Sequence, residues 1–84
     1  MAVGSQLHEA FCANVRRRRL ELGKTQLEIA TEMQISQPAY AQIESGRRGP
    51  GIDVIANVAR ALNCDPADLL TIESARKKNS RQSA

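Results

Sequence analysis

Apolar residues recur every three or four positions through most of the first 72 residues, a spacing that predicts helices rather than strands. Glycine, proline and short capping side chains interrupt this pattern at four places. The predicted helices span residues 6–22, 26–33, 37–44, 52–62 and 66–72. We therefore expect an all-α fold, with five short helices around one core.

The best-defined part of the pattern lies between Thr25 and Gly46. Thr25 followed by Glu28 fits a capping box at the start of one helix. Ser36 is a suitable N-cap for the next helix, and Pro38 is tolerated in its first turn. Two helices separated by roughly 3–4 residues have the spacing of a helix-turn-helix unit. The outward face of the second helix is polar and carries small side chains, which suits a helix that enters a groove.

A set of residues in register across this stretch matches a known pattern: Gly23, Thr25, Gln26, Ile29, Ala30, Ile35, Ser36, Ile43, Glu44 and Gly46. Further matches lie at Phe11, Asn14, Val15, Arg16, Arg19, Pro50, Ala59, Ala61, Leu62 and residues 68–70. The pattern resembles the helix-turn-helix of the Cro and phage-repressor (XRE) family, and it covers residues 7 to 72. The resemblance implies a five-helix, lambda-repressor-like DNA-binding domain.

The length of 84 residues allows one small domain. We assign residues 1–5 to a flexible N-terminus, 6–73 to the helix-turn-helix domain and 74–84 to a disordered basic tail, which lacks apolar periodicity. The tail holds four of the twelve basic residues and no acidic one, whereas residues 1–73 hold eight basic and nine acidic residues. The overall charge of the domain therefore does not indicate nucleic-acid binding; only the arginine clusters and the tail do.

Four residues on the outward face of the second helix of the unit are candidates for reading bases: Gln37, Pro38, Ala41 and Gln42. Gln37 lies in the first turn, where recognition helices reach base edges, and glutamine pairs bidentately with adenine. Ala41 is small enough to contact a thymine methyl group. Pro38 stands where the family often has a hydrogen-bonding side chain, so its contribution is limited to shape or apolar contact. Alternatively, both glutamines are merely solvated.

Five residues around this helix are candidates for contacting the DNA backbone. Gln26 begins the first helix of the unit, whose N-terminal amides suit a phosphate, and the resemblance implies that contact. Thr25 beside it either caps the helix only or also contacts the phosphate. Arg47 and Arg48 lie in a glycine-flanked loop after the second helix, and Arg16 begins an arginine cluster. The alternative for these arginines is a solvated surface.

The resemblance also implies a structural ion pair between Arg19 and Glu44, which would join the first predicted helix to the recognition helix. Two departures from the family pattern have structural consequences. Gln34 occupies a turn position that usually holds glycine, so we expect a positive φ there. Tyr40 replaces an aliphatic residue, so its hydroxyl needs a hydrogen-bond partner.

The remaining reactive residues do not predict a catalytic or metal site. Cys12 and Cys64 lack metal-binding or redox spacing, so we interpret them as small apolar residues, with a redox-linked pair as the alternative. His8, the only histidine, is interpreted as a packing residue. We expect no cofactor and no enzymatic activity. No apolar run suits a signal sequence or a membrane span, so the expected location is the cytoplasm.

These observations favour a sequence-specific DNA-binding regulator. The implied partner is double-stranded DNA, bound as a homodimer on a palindromic operator, because one helix reads too few base pairs to be specific. Small Cro-like repressors and the controller proteins of restriction–modification systems are of this type. The alternative function is that of an antitoxin, which binds both its operator and a toxin protein.

Overall fold

The structure of the protein, a computed structural model, describes the backbone of residues 2–72 and the side chains of residues 6–72. Within these residues the chain forms five helices and no strand: α1 (Ala2–Glu21), α2 (Gln26–Met33), α3 (Gln37–Ser45), α4 (Ile52–Ala61) and α5 (Pro66–Leu69). The predicted all-α class and the helix-turn-helix, formed by α2 and α3, are therefore confirmed. None of these helices is both long and apolar enough to cross a membrane. The predicted basic tail, residues 74–84, lies outside the described residues.

Helix α1 begins earlier than the apolar pattern predicted. The backbone of residues 2–5, which we assigned to a flexible N-terminus, forms the first turn of this helix. Gly4 is the only residue there that opposes a helix, at a cost of about 1 kcal/mol relative to alanine. Extending an existing helix avoids the nucleation cost, so the long helix that follows favours this added turn.

Helix α5 ends at Leu69, three residues before the predicted end at Ile72. The side chain of Asn14 on α1, which is 3% exposed, explains the difference. Its amide nitrogen donates hydrogen bonds to the carbonyl oxygens of Leu69 at 2.9 Å and Thr71 at 2.8 Å. Because α1 supplies partners for these carbonyls, the chain does not need a further helical turn to satisfy them.

The core is made almost wholly of aliphatic side chains from all five helices. Its buried apolar members are Phe11, Val15, Ile29, Ala30, Met33, Tyr40, Ile43, Val58, Ala59, Ala61, Leu62 and Leu69. Leu27 shares the apolar spacing of α2 but is 61% exposed. At about 100° per residue, the mean direction of the buried residues Ile29, Ala30 and Met33 is about 110° from that of Leu27, so Leu27 lies outside the face of α2 that packs on the core.

Local hydrogen bonds and one left-handed residue set the ends of α2 and the start of α3. The predicted capping box is present, with Thr25 Oγ1 accepting from the Glu28 N–H at 3.1 Å and Glu28 Oε1 accepting from the Thr25 N–H at 2.8 Å. Ser36 caps α3 by accepting from the Ala39 N–H at 3.2 Å. Gln34 adopts φ 63° and ψ 40°, so the predicted positive φ is confirmed. Together these features define where α2 begins and ends and where α3 begins.

Replacing Gln34 by glycine should stabilise the protein by up to about 1 kcal/mol. A left-handed residue with a Cβ costs about 1–2 kcal/mol, and glycine recovers more of this than it loses in chain entropy. Ala56→Gly, at an exposed position inside α4, is the matched control and should destabilise by about 1 kcal/mol. Urea unfolding of both variants measures these changes, and equal destabilisation by the two would contradict a strained Gln34.

Candidate nucleic-acid interface

Helix α3 divides into a buried side and an accessible side. Tyr40 and Ile43 are 0% and 3% exposed and pack into the core. Pro38 and Gln42 are exposed, whereas Gln37 is half-buried. Ala41 is half-buried too. The four predicted base-reading residues therefore share the accessible side of α3, and their contacts with bases stay predictions.

A buried ion pair joins α1 to α3, as the resemblance implied. Arg19 Nε donates to Glu44 Oε2 at 2.5 Å and Arg19 Nη2 donates to Glu44 Oε1 at 3.3 Å. The two side chains are 11% and 6% exposed. Arg19 Nη1 also donates to the Lys24 carbonyl at 2.8 Å, which ties down the connection between α1 and α2. The hydroxyl of Tyr40 finds its predicted partner here, because it donates to Glu44 Oε2 at 2.7 Å.

The ionisation of these groups follows from their environment. Burial raises the pKa of the Glu44 carboxyl, but hydrogen bonds from Arg19, Gln26 and Tyr40 outweigh burial, and the pKa lies below its usual value. The hydrogen bond to Glu44 raises the pKa of Arg19. Burial, followed by the bond to Glu44, raises the pKa of Tyr40. At neutral pH Glu44 is therefore a carboxylate that only accepts hydrogen bonds.

The two glutamines that begin α2 and α3 are joined to this ion pair. Gln26 Nε2 donates to Glu44 Oε1 at 3.0 Å, and Gln37 Nε2 donates to Gln26 Oε1 at 2.8 Å. The sequence indicates Gln37 as a candidate for base contact and does not predict its bond to Gln26. The only signal for the contact was that both glutamines are first residues of their helices; the angle between the helices could not be inferred.

The five predicted phosphate-contacting residues lie at both ends of α3. Gln26 contacts Gln37 at the N-terminal end, and Thr25 precedes it as the cap of α2. Arg47 and Arg48 follow the C-terminal end and are exposed. Arg16 is exposed on α1 and lines a cleft with Ser45 and Gly46, at the same end of α3. Whether these residues contact phosphates stays a prediction.

The cysteines are free thiols that lie partly buried. Burial is the main cause that raises the pKa of both Cys12 and Cys64, so neither is a thiolate at neutral pH. Cys12 Sγ lies 3.3 Å from the Ile43 carbonyl oxygen, to which it donates. Among the described residues no group of three or more His, Cys, Asp and Glu side chains could hold a metal ion.

Truncating Glu44 should destabilise the fold by about 3–5 kcal/mol, because Glu44→Ala leaves a buried arginine without its partner. Glu21→Ala is the matched control, since Glu21 pairs with Arg17 and Arg18 at 3.9 and 3.7 Å but is 54% exposed. An exposed pair of this kind contributes less than about 1 kcal/mol. Urea unfolding compares the two variants, and a loss for Glu44→Ala within about 0.5 kcal/mol of the control would contradict a structural role for the ion pair.

The lowered pKa of Glu44 also predicts a pH dependence. Its stabilising effect is fully present above the unfolded-state pKa of about 4.3 and is lost as pH falls through the lower folded-state pKa. The difference in unfolding free energy between wild type and Glu44→Gln should therefore be constant near neutral pH and shrink below about pH 4.3. Denaturant unfolding over this pH range measures it; a difference that grows on acidification would contradict the assigned direction. Wild type and Glu44→Gln have all other carboxylates in common, so the effects of these groups largely cancel in the difference between the two proteins.

The chain is similar to one protein family and to several solved structures. Residues 15–69 match the helix-turn-helix family model. The clp gene regulator ClgR from C. glutamicum is 33% identical, over 76% of this chain and 83% of that chain, with a TM-score of 0.72. A second crystal structure of ClgR, from Corynebacterium glutamicum, is 27% identical, over 89% of this chain and 87% of that chain, with a TM-score of 0.71.

A third structure supports the fold alone. The hypothetical transcription factor NHTF from Neisseria has a TM-score of 0.82, with 24% identity over 88% of this chain and 85% of that chain. No protein among curated sequences matches the chain. The family model nevertheless covers well over half of the chain and includes the whole of α2 and α3. The chain therefore belongs to the XRE-type helix-turn-helix family of DNA-binding transcription regulators.

Proposed function

We propose that this protein is a sequence-specific regulator that acts in the cytoplasm as a homodimer on a palindromic operator. The observation that carries the proposal is the hydrogen bond between Gln26 and Gln37, which holds a polar amide in position at the N-terminal end of α3. The similarity to ClgR, which is named a regulator of clp genes, agrees with a role in transcription.

In this proposal α3 lies in the major groove and Gln37 reads an adenine. The bond to Gln26 uses one N–H of the Gln37 amide and leaves its oxygen and its second N–H for another partner. In the major groove adenine presents an N6 donor beside an N7 acceptor. These two groups are complementary to the free oxygen and the free N–H of the Gln37 amide. Pro38, Ala41 and Gln42 add shape, apolar and polar contacts along the same side of the helix.

The phosphate contacts position α3 without reading sequence. Gln26 keeps a second amide N–H for a phosphate, next to the N-terminal amides of α2. Arg16, Arg47 and Arg48 bind the backbone near the other end of α3. Each phosphate neutralised should add about −0.9 to the slope of log K against log salt concentration.

A homodimer follows from how little DNA one α3 covers. Two copies related by a two-fold axis would read half-sites whose centres are about 34–36 Å apart, or a multiple of that spacing. The antitoxin function stays the alternative. The basic tail is a weak candidate for a toxin contact, because it holds few apolar residues, and it lies outside the described residues.

Selection from random duplex DNA followed by titration of single-base variants tests this function. We expect a palindromic site, on which Gln37→Ala costs about 1–3 kcal/mol and relaxes the choice of base at one position per half-site. Affinity of this variant for random duplex should stay close to that of wild type. Gln26→Ala should weaken preferred and random duplexes alike and, because Gln26 holds Gln37, should also relax the same position.

A selected site without two-fold symmetry would argue against the homodimer. A folded Gln37→Ala variant with unchanged base preferences would show that α3 does not read DNA in the proposed way. Circular dichroism of each variant, measured before titration, establishes that it is folded.

A further inference from the structure

A continuous chain of hydrogen bonds runs from the buried ion pair to the surface of α3. Glu44 Oε1 accepts from Gln26, and Gln26 Oε1 accepts from Gln37, at 3.0 and 2.8 Å. The first member of this chain is buried, because the Glu44 side chain is 6% exposed. Glu44 therefore cannot reach a base itself, and any effect on DNA passes through the two glutamines.

This series of hydrogen bonds has one direction, because a carboxylate accepts hydrogen bonds and donates none. Of the two polar atoms of the Gln26 amide, only the nitrogen can bond to Glu44 Oε1, so the oxygen of Gln26 is turned toward Gln37. That oxygen in turn requires the amide nitrogen of Gln37. The orientation of two amides, either of which is nearly symmetric in shape, is thereby determined by one buried charge.

We propose that Glu44 is a positioning residue for base recognition: through Gln26 it sets the amide polarity of Gln37 and so favours adenine at the base that Gln37 contacts. This inference rests on the proposed function, in which Gln37 reads a base. Adenine needs an N–H opposite N7 and an oxygen opposite N6, whereas guanine presents acceptors at both positions. A reversed amide loses the match to adenine.

The isosteric change Glu44→Gln should reverse this polarity. Each oxygen of Glu44 receives two donors. Those at Oε2, Arg19 Nε and the Tyr40 hydroxyl, lie at 2.5 and 2.7 Å, whereas those at Oε1, Gln26 Nε2 and Arg19 Nη2, lie at 3.0 and 3.3 Å. The oxygen of the new amide therefore belongs at the Oε2 position, where the bonds are shorter. The amide nitrogen then takes the position of Oε1 and repels the nitrogen of Gln26. Gln26 turns its oxygen toward residue 44 and its nitrogen toward Gln37, whose own amide reverses in response.

The test measures binding of wild type, Gln37→Ala, Glu44→Gln and the double variant to the preferred duplex, all its single-base variants and random duplex. Gln37→Ala identifies the position concerned. Glu44→Gln should lower the preference for adenine at that position by about fivefold or more, which corresponds to the lower end of the energy of a bidentate pair. Base preferences at other positions should change by less than about twofold. Random duplex should weaken no more than it does with Gln26→Ala, because reversal of the Gln26 amide moves the N–H that contacts a phosphate. In the Gln37→Ala background Glu44→Gln should have no further effect on that position.

The outcomes separate the inference from the function on which it rests. If Gln37→Ala changes no base preference, both are overturned. If Gln37→Ala relaxes one position and Glu44→Gln leaves that position unchanged, only the role of Glu44 is overturned. A loss by the same factor on every duplex, with the preference for adenine unchanged, assigns Glu44 a purely structural role and equally overturns the inference.

If Glu44→Gln does not fold, a second variant tests whether Glu44 acts on Gln37 through Gln26. Gln26→Met keeps the bonds of Glu44 to Arg19 and Tyr40 but removes the amide that joins it to Gln37. It should weaken random duplex by the loss of a phosphate contact and, in addition, lower the preference for adenine at the position identified by Gln37→Ala. Retention of the wild-type preference at that position would overturn the inference.

Discussion

The orientation of α3 depends on a single buried carboxylate. Glu44 accepts hydrogen bonds from Arg19 on α1, Gln26 on α2 and Tyr40 on α3 itself. Removing a carboxylate from water costs several kcal/mol, and only a nearly complete set of donors offsets that cost. Displacing any of these helices would break at least one of the bonds. The ion pair therefore specifies the relative positions of three helices, in addition to whatever stability it contributes.

Fixing the helix positions through polar contacts matters because the core is small and contains few aromatic side chains. The chain contains one Phe, one Tyr and no Trp, and most core positions hold aliphatic side chains. Aliphatic cores tolerate alternative packing more readily than directional polar networks do. A helix that reads bases must be placed accurately relative to the residues that contact the DNA backbone. The polar network at Glu44 provides directional contacts that the aliphatic core lacks.

The network also connects the buried ion pair to the accessible side of α3. Its members pass from a buried acid, through a half-buried amide, to an amide at the edge of the accessible face of α3. In the proposed complex, holding the Gln37 amide in place before DNA binds would lower the entropy lost on binding. Arg47 and Arg48 are exposed cations, which suit the proposed phosphate contacts; such contacts position a protein but read no sequence.

The local features of the fold were determined by the sequence itself. The caps at Thr25 and Ser36 involve partners within a few residues along the chain, so residue type and spacing predict them. The positive φ of Gln34 was expected from the family resemblance. The partnership of Arg19 and Glu44 came from the family resemblance, because no local rule links residues on separate helices. The buried face of α3, with Tyr40 and Ile43, followed from helical periodicity.

The tertiary structure alone decided the contacts that bridge different helices. Asn14 on α1 donates a hydrogen bond to the Leu69 carbonyl, where α5 ends. Leu27 stays exposed despite its apolar spacing, because the packing of the other helices determines which face of α2 is covered. The bond between Gln26 and Gln37 depends on the angle between α2 and α3, which periodicity does not contain. Hydrogen bonds within a helical turn are encoded in neighbouring residues, whereas bonds between helices exist only once the core has packed.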